Sequence, residues 1–210
     1  SAAALYGSQA GNGVIVITTK KGAKDRLAIT VNSGIATESP FALPFVQNAY
    51  GQGNGGVLDG TSGESWGAKM TGQSYTNFLG NSSSYSPQPD NIKNFFRNGT
   101  SLNNSIGISS GNDKMQTYLS YTNNLVQGII PKNNLTRHTV NFRISNQISK
   151  RFSTDAKVTY ISQDIKNRPR TGEENAPVIN IYNMARNISN ADASQFEFIN
   201  NVGLPAPTPF

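Results

Sequence analysis

The chain has 210 residues with 18 Lys+Arg against 12 Asp+Glu, a formal net charge of +6, and only 36% hydrophobic and 14% charged residues. Its bulk is small or neutral polar, with 26 Asn, 22 Ser, 16 Thr and 20 Gly, which disfavours a helical bundle because these are poor helix formers, while the modest charge disfavours charge-driven disorder. No cysteine and one histidine, His138, exclude disulfides, thiolate metal sites and multi-histidine sites, and no apolar run reaches the roughly 18 residues of a spanning helix, which leaves a transmembrane β-barrel open.

The first element in chain order is Val14-Ile-Val-Ile-Thr-Thr19, a continuous β-branched run read as a strand buried on both faces. Five strictly alternating segments follow. In residues 27–36, Leu27, Ile29, Val31 and Ile35 share one face. Leu102, Ile106 and Ile108 do so in 102–110, and Met115, Leu119, Tyr121 and Leu125 in 115–125. Val140, Phe142, Ile144 and Ile148 share a face in 138–148, and Phe152, Ala156, Val158 and Tyr160 in 152–161. The opposite faces carry Asn, Ser, Thr, Gln and Gly rather than the Lys and Glu of a surface facing bulk water. Asn104 and Asn123 interrupt the apolar faces, and a membrane reading requires both to lie near an interface. Residues 175–187 read as a short helix with Val178, Ile181, Tyr182 and Ala185 on one side.

The connections alternate in length. Roughly 65 residues part the first two strands, Gly111-Asn-Asp113 the next two, residues 126–137 the next, and Ser149-Lys-Arg151 the last, before the long segment 162–210. Short turns at one end and long loops at the other are how outer-membrane barrels are wired, and strands of about ten residues suit a tilted crossing. A soluble β-sandwich has the same two-residue period and remains the alternative on alternation alone. Neither terminus shows a closing element or a signal segment, so the expectation is a part of a longer chain.

The segment Ala4-Leu-Tyr-Gly-Ser-Gln-Ala-Gly-Asn-Gly-Val-Ile-Val-Ile-Thr-Thr-Lys-Lys-Gly22 resembles the end of the plug in SusC/RagA-type TonB-dependent outer-membrane transporters of the Bacteroidetes. Gln9 and Gly11 depart mildly from that pattern. Asp90-Asn-Ile-Lys-Asn-Phe-Phe-Arg-Asn-Gly99, Ser105-Ile-Gly-Ile-Ser-Ser-Gly-Asn-Asp-Lys114, Tyr118-Leu-Ser-Tyr-Thr-Asn123, Gly128-Ile-Ile-Pro131 and Lys166-Asn-Arg-Pro169 follow in the family's order, so the resemblance covers residues 1 to about 170. It implies an all-β fold, part of a plugged 22-stranded antiparallel transmembrane barrel. Residues 1–24 would be the C-terminal end of the plug and its linker, with Gly7, Ser8, Gly11, Asn12 and Gly13 as the plug-to-barrel motif. Residues 25–210 would be the first five or so strands, with extracellular loops 37–101, 126–137 and 162–210. The implied activity is TonB-dependent import of glycans or peptides across the outer membrane. The implied partners are a SusD-like surface lipoprotein acting as a lid and the TonB–ExbB–ExbD complex, whose contact segment would lie upstream. Lipid or lipopolysaccharide would surround the strands. A soluble carbohydrate-binding β-sandwich, or a secretion or structural outer-membrane barrel, are the rivals.

Ser120, Thr122, Asn141, Arg143 and Ser145 are the expected lumen-facing residues, and Tyr50, Trp66, Tyr75 and Tyr85 the expected loop contacts to ligand or lid, since aromatic rings beside Asn and Gln suit sugar stacking. Gly51-Gln-Gly-Asn-Gly-Gly56 matches a dinucleotide fingerprint literally, but lacks the preceding strand and following helix that such a site needs, and reads instead as a flexible loop or hinge. Nothing orients Glu173 and Glu174 as an acid–base pair, and one histidine supports no catalytic triad, so neither an enzyme nor a cofactor or metal site is expected. The basic residues are scattered, without the stripe that nucleic-acid binding needs.

Overall fold

A computed structural model describes residues 15, 25–170, 172, 176–195, 197–199 and 205–207. Among them the chain forms β1 (Ala28–Glu38), β2 (Gly53–Asn54), β3 (Val57–Leu58), β4 (Ser74–Thr76), β5 (Ser82–Ser84), α1 (Asn91–Phe95), β6 (Gly99–Gly111), β7 (Met115–Gln127), β8 (Asn134–Ser149) and β9 (Phe152–Lys166). Two short helices, α2 (Pro177–Asn183) and α3 (Asn190–Ala193), and two short strands, β10 (Glu197–Ile199) and β11 (Pro205–Pro207), follow. The plug-to-barrel motif Gly7, Ser8, Gly11, Asn12 and Gly13 and most of the run 14–19 lie outside the described residues; Ile15 is 91% exposed.

The five alternating segments pair in chain order as one sheet, β1-β6-β7-β8-β9, with β1 and β9 at its edges. Cross-strand bonds descend one strand as they climb the next, Ser33 to Asn104 and Asn32 to Ser105, and the partners are antiparallel. The turn at 111–114 forms as its residues predict. Asn112 Oδ1 accepts from the backbone N–H of Lys114 and Met115 at 2.9 and 2.8 Å, an Asx turn that leads the chain straight into β7.

The strands outrun the alternation that announced them. β8 begins at Asn134, so the connection expected over 126–137 shrinks to residues 128–133, and β9 continues to Lys166, past the start of the loop expected at 162. Side-chain alternation reports which face is apolar, whereas the backbone ladder needs only hydrogen-bond partners, which Asn, Thr and Gln allow as well as Val. Arg97 pins the shortened turn, donating from Nε to the Gly128 carbonyl at 2.8 Å and from Nη2 to the Asn133 carbonyl at 2.9 Å.

Two compact units divide the chain. The first takes in the described residues up to Gly34 with Asn103–Asn123 and Arg137–Gln163, the central part of the sheet. Gly107 and Ser120 are its only buried residues among those described. The second takes in Ile35–Leu102, Asn124–Thr136 and the described residues from Asp164 onward, and it holds the apolar core. Phe78, Ile92, Ile181, Met184, Ala185 and Ile188 form one cluster, and Met70, Tyr75 and Tyr85 another.

The helix expected over 175–187 is confined to α2. Pro177 starts it at a position where its missing N–H costs nothing, and Met184 ends it in extended conformation, with ψ 137°. Among the described residues, the glycine-rich run 51–56 is followed by no helix that could hold a phosphate. It enters the β2–β3 hairpin, whose two turn residues, Gly55 at φ 60° and Gly56 at φ 80°, both need the left-handed region.

Candidate functional site

The sheet in the first unit has two chemically opposed faces. On the polar face, Asn141 links three strands, donating from Nδ2 to Ser120 Oγ at 3.4 Å and accepting from Thr159 Oγ1 at 2.8 Å. Arg143 meets Asp155 as a bidentate fork, Nε to Oδ1 at 2.9 Å and Nη2 to Oδ2 at 2.6 Å, and Ser145 Oγ adds a third bond to the same carboxylate at 3.1 Å. Tyr118 lies over Gly107, where a Cβ would come within 3.2 Å of its hydroxyl, so the large ring fills the place of the missing side chain. Ser120, Thr122 and Asn141 share one concavity of about 570 Å³ with Thr30, Asn32 and Ser105. The five residues expected to face a lumen are all on this face.

The other face is apolar and open. Val31, Ile106, Tyr121, Val140 and Tyr160 fall in one row across the strands, and Ile29, Ile108, Leu119, Phe142 and Val158 in the next; all ten side chains are exposed. One polar row crosses this face. Ser33 Oγ donates to Asn104 Oδ1 at 2.7 Å, and Asn123 Nδ2 lies 3.3 Å from His138 Nδ1. Gly111 faces Gln116, and counting from that pair sets Asn104 opposite Asn123, so the two asparagines that interrupt the apolar pattern stand side by side. The Tyr121 hydroxyl is 2.7 Å from His138 Nδ1, with the two rings stacked at an interplanar angle of 14°.

The second unit separates the four loop aromatics into two pairs. Tyr85 is fully buried and donates its hydroxyl to the Gln52 carbonyl at 2.7 Å, and Tyr75 packs edge-on against it at 5.3 Å. Burial raises both phenol pKa values above the usual range. Their expected role as ligand or lid contacts is thereby corrected. They are core residues, enclosed because this unit is large enough to build a core of its own. Tyr50 and Trp66 instead line an open cleft of about 530 Å³ with Gln47, Glu64, Tyr182 and Arg186. Trp66 is 72% exposed and Tyr50 50%. Phe95 and Phe96 pack against the apolar cluster beside α1.

Sequence reasoning missed Arg186 and the buried pair Gln52–Asn187. Asn187 Oδ1 accepts from the Gln52 backbone N–H at 2.7 Å, and its Nδ2 donates to Gln52 Oε1 and to the Tyr75 hydroxyl, both at 2.9 Å. Partners 135 residues apart leave no local trace in a sequence with 26 asparagines.

No family model matches the chain. It is similar to TonB-dependent receptor P3 of Formosa agariphila, with 27% identity over 161 residues that make up 75% of this chain and 14% of that protein. The chain thus spans about a seventh of the length of the curated relative it matches, and the similarity is to a TonB-dependent receptor.

Proposed function

We propose that this chain is part of a SusC/RagA-type TonB-dependent transporter that imports glycans or peptides across the outer membrane of a Bacteroidetes bacterium. Residues 1–24 close the plug, and residues 25–210 supply the first five strands of a 22-stranded barrel with their extracellular loops. A SusD-like lipoprotein covers the loops, and TonB–ExbB–ExbD drives the plug.

The observation that carries this reading is the exposed apolar face. Ten large side chains in two rows have no protein over them among the described residues, whereas a soluble sandwich would bury that face under a second sheet. Dimensions support lipid as the cover. From the polar row at His138 to Ile148 the strand rises roughly 33 Å, or roughly 25 Å at a 40° tilt, the height of a barrel's outward apolar band. His138, Tyr121 and Asn123 sit where an aromatic, hydrogen-bonding girdle belongs. The opposed polar face suits a lumen or a plug contact. Edges β1 and β9 require further strands, because unpaired backbone groups facing lipid cost several kcal/mol each.

The test is import by cells that carry the full-length receptor, with TonB present or deleted. Uptake of the cognate oligosaccharide or peptide should stop without TonB, and a surface lipoprotein should co-purify with the receptor from outer membranes. TonB-independent uptake would contradict the proposal.

A further inference from the structure

The cleft of Trp66, Tyr50, Tyr182 and Arg186 holds a buried guanidinium, that of Arg186, with no ion-pair partner among the described residues. Arg186 is 8% exposed, and its backbone N–H is fixed by Ser65 Oγ at 2.9 Å. Its guanidinium donates from Nη2 to the carbonyls of Tyr182 and Met184. Among the described residues Nε and Nη1 make no hydrogen bond, and no carboxylate stands within ion-pair distance of it. Neutral carbonyls hold the group in place without cancelling its charge, and arginine keeps that charge even where burial lowers its pKa, as it does here. A buried, uncancelled cation that opens on a cleft is matched by an anion from outside.

The aromatic rings beside it are exposed, on backbone that is held by hydrogen bonds. Trp66 is bonded through its backbone N–H to the Gly53 carbonyl at 3.1 Å and through its own carbonyl to Gly56 N–H at 2.9 Å. Gln47 grips Tyr50 at both backbone groups, each at 2.8 Å. Aromatic side chains have only two rotatable bonds, so solvent-facing rings lose little entropy when a flat ligand stacks on them.

We propose that this cleft is a subsite for a negatively charged sugar, its ring on Trp66 and its carboxylate or sulfate on the free edge of Arg186. The assignment rests on the transporter reading only in taking the ligand to be a captured glycan. Glu64 lines the same cleft and is exposed, so it weakens the attraction without abolishing it.

The experiment is calorimetric titration of the purified full-length receptor with trigalacturonate, its methyl ester, a sulfated trisaccharide and an acidic tripeptide. Trigalacturonate or the sulfated sugar should bind about tenfold or more tightly than the neutral ester, as a charge-assisted bond requires. Trp66→Ala should weaken every sugar, and Glu64→Gln should tighten the charged ones alone. Both positions are exposed, so the result does not hinge on whether Arg186→Gln folds. Equal binding of acid and ester, no binding of either, or equal binding of the tripeptide would overturn the proposal. A receptor that stays soluble without detergent would overturn the transporter reading instead, while the titration still decides the cleft.

Discussion

Asn187 is 4% exposed and completes three hydrogen bonds, to Gln52 N–H, Gln52 Oε1 and the Tyr75 hydroxyl. Asn187→Ala strands those groups in a buried setting, where each unsatisfied polar group costs about 1–3 kcal/mol, so the second unit should lose roughly 3 kcal/mol. Hydrogen exchange on the full-length protein checks this, as faster exchange around residues 50–60; unchanged protection there would contradict it. Trp66→Ala removes a ring that is already 72% exposed and should leave that exchange unaltered. The same contrast explains what residue-level reading achieved. Four loop aromatics looked alike in sequence, yet Tyr75 and Tyr85 face a core and Tyr50 and Trp66 face a cleft. Their neighbours in space come from distant segments, and only those neighbours separate the pairs.

The strands were the most legible elements, because a two-residue period is written into each stretch of ten residues and needs no distant partner. All five segments appear as strands, and Asn112 marks the turn between two of them by chemistry local to four residues. Strand ends were less legible. Apolar alternation ends near His138 while β8 continues back to Asn134, since polar side chains serve the backbone ladder equally well. The faces make a quantitative prediction. Phe142→Lys puts a cation in the middle of the apolar band and should cost about 2–4 kcal/mol of folding stability in bilayers, whereas Asn141→Lys on the polar face should cost less, through the two hydrogen bonds it gives up rather than through a charge in lipid. Urea titration of the receptor refolded into vesicles measures both. Equal costs would mean that the two faces see the same medium. Arg143→Gln tests the polar face from the other side. The fork to Asp155 is partly exposed, and its loss should leave the same titration nearly unchanged.

At the scale of the whole molecule, the apolar core lies in the second unit while the sheet of the first unit leaves its apolar face open. Composition gave a hint of this, since 36% hydrophobic residues is little for a chain of this length, and much of it is committed to one face of five strands. Pairings such as Gln52 with Asn187 and Arg97 with Asn133 decide how the loop segments close on themselves, and no period in the sequence encodes them. The central claim is that Val140, Phe142, Ile144 and Ile148 of β8 face lipid and that Asn141, Arg143, Ser145 and Gln147 between them do not. The chain contains no cysteine, so once any cysteines elsewhere in the receptor are replaced, each position from His138 to Ile148 can carry a single Cys with an environment-sensitive fluorophore. In the full-length receptor reconstituted in vesicles, a quencher attached to lipid tails should dim probes at 140, 142, 144 and 148 and spare those at 141, 143, 145 and 147. Uniform quenching, or none at any position, would contradict the account.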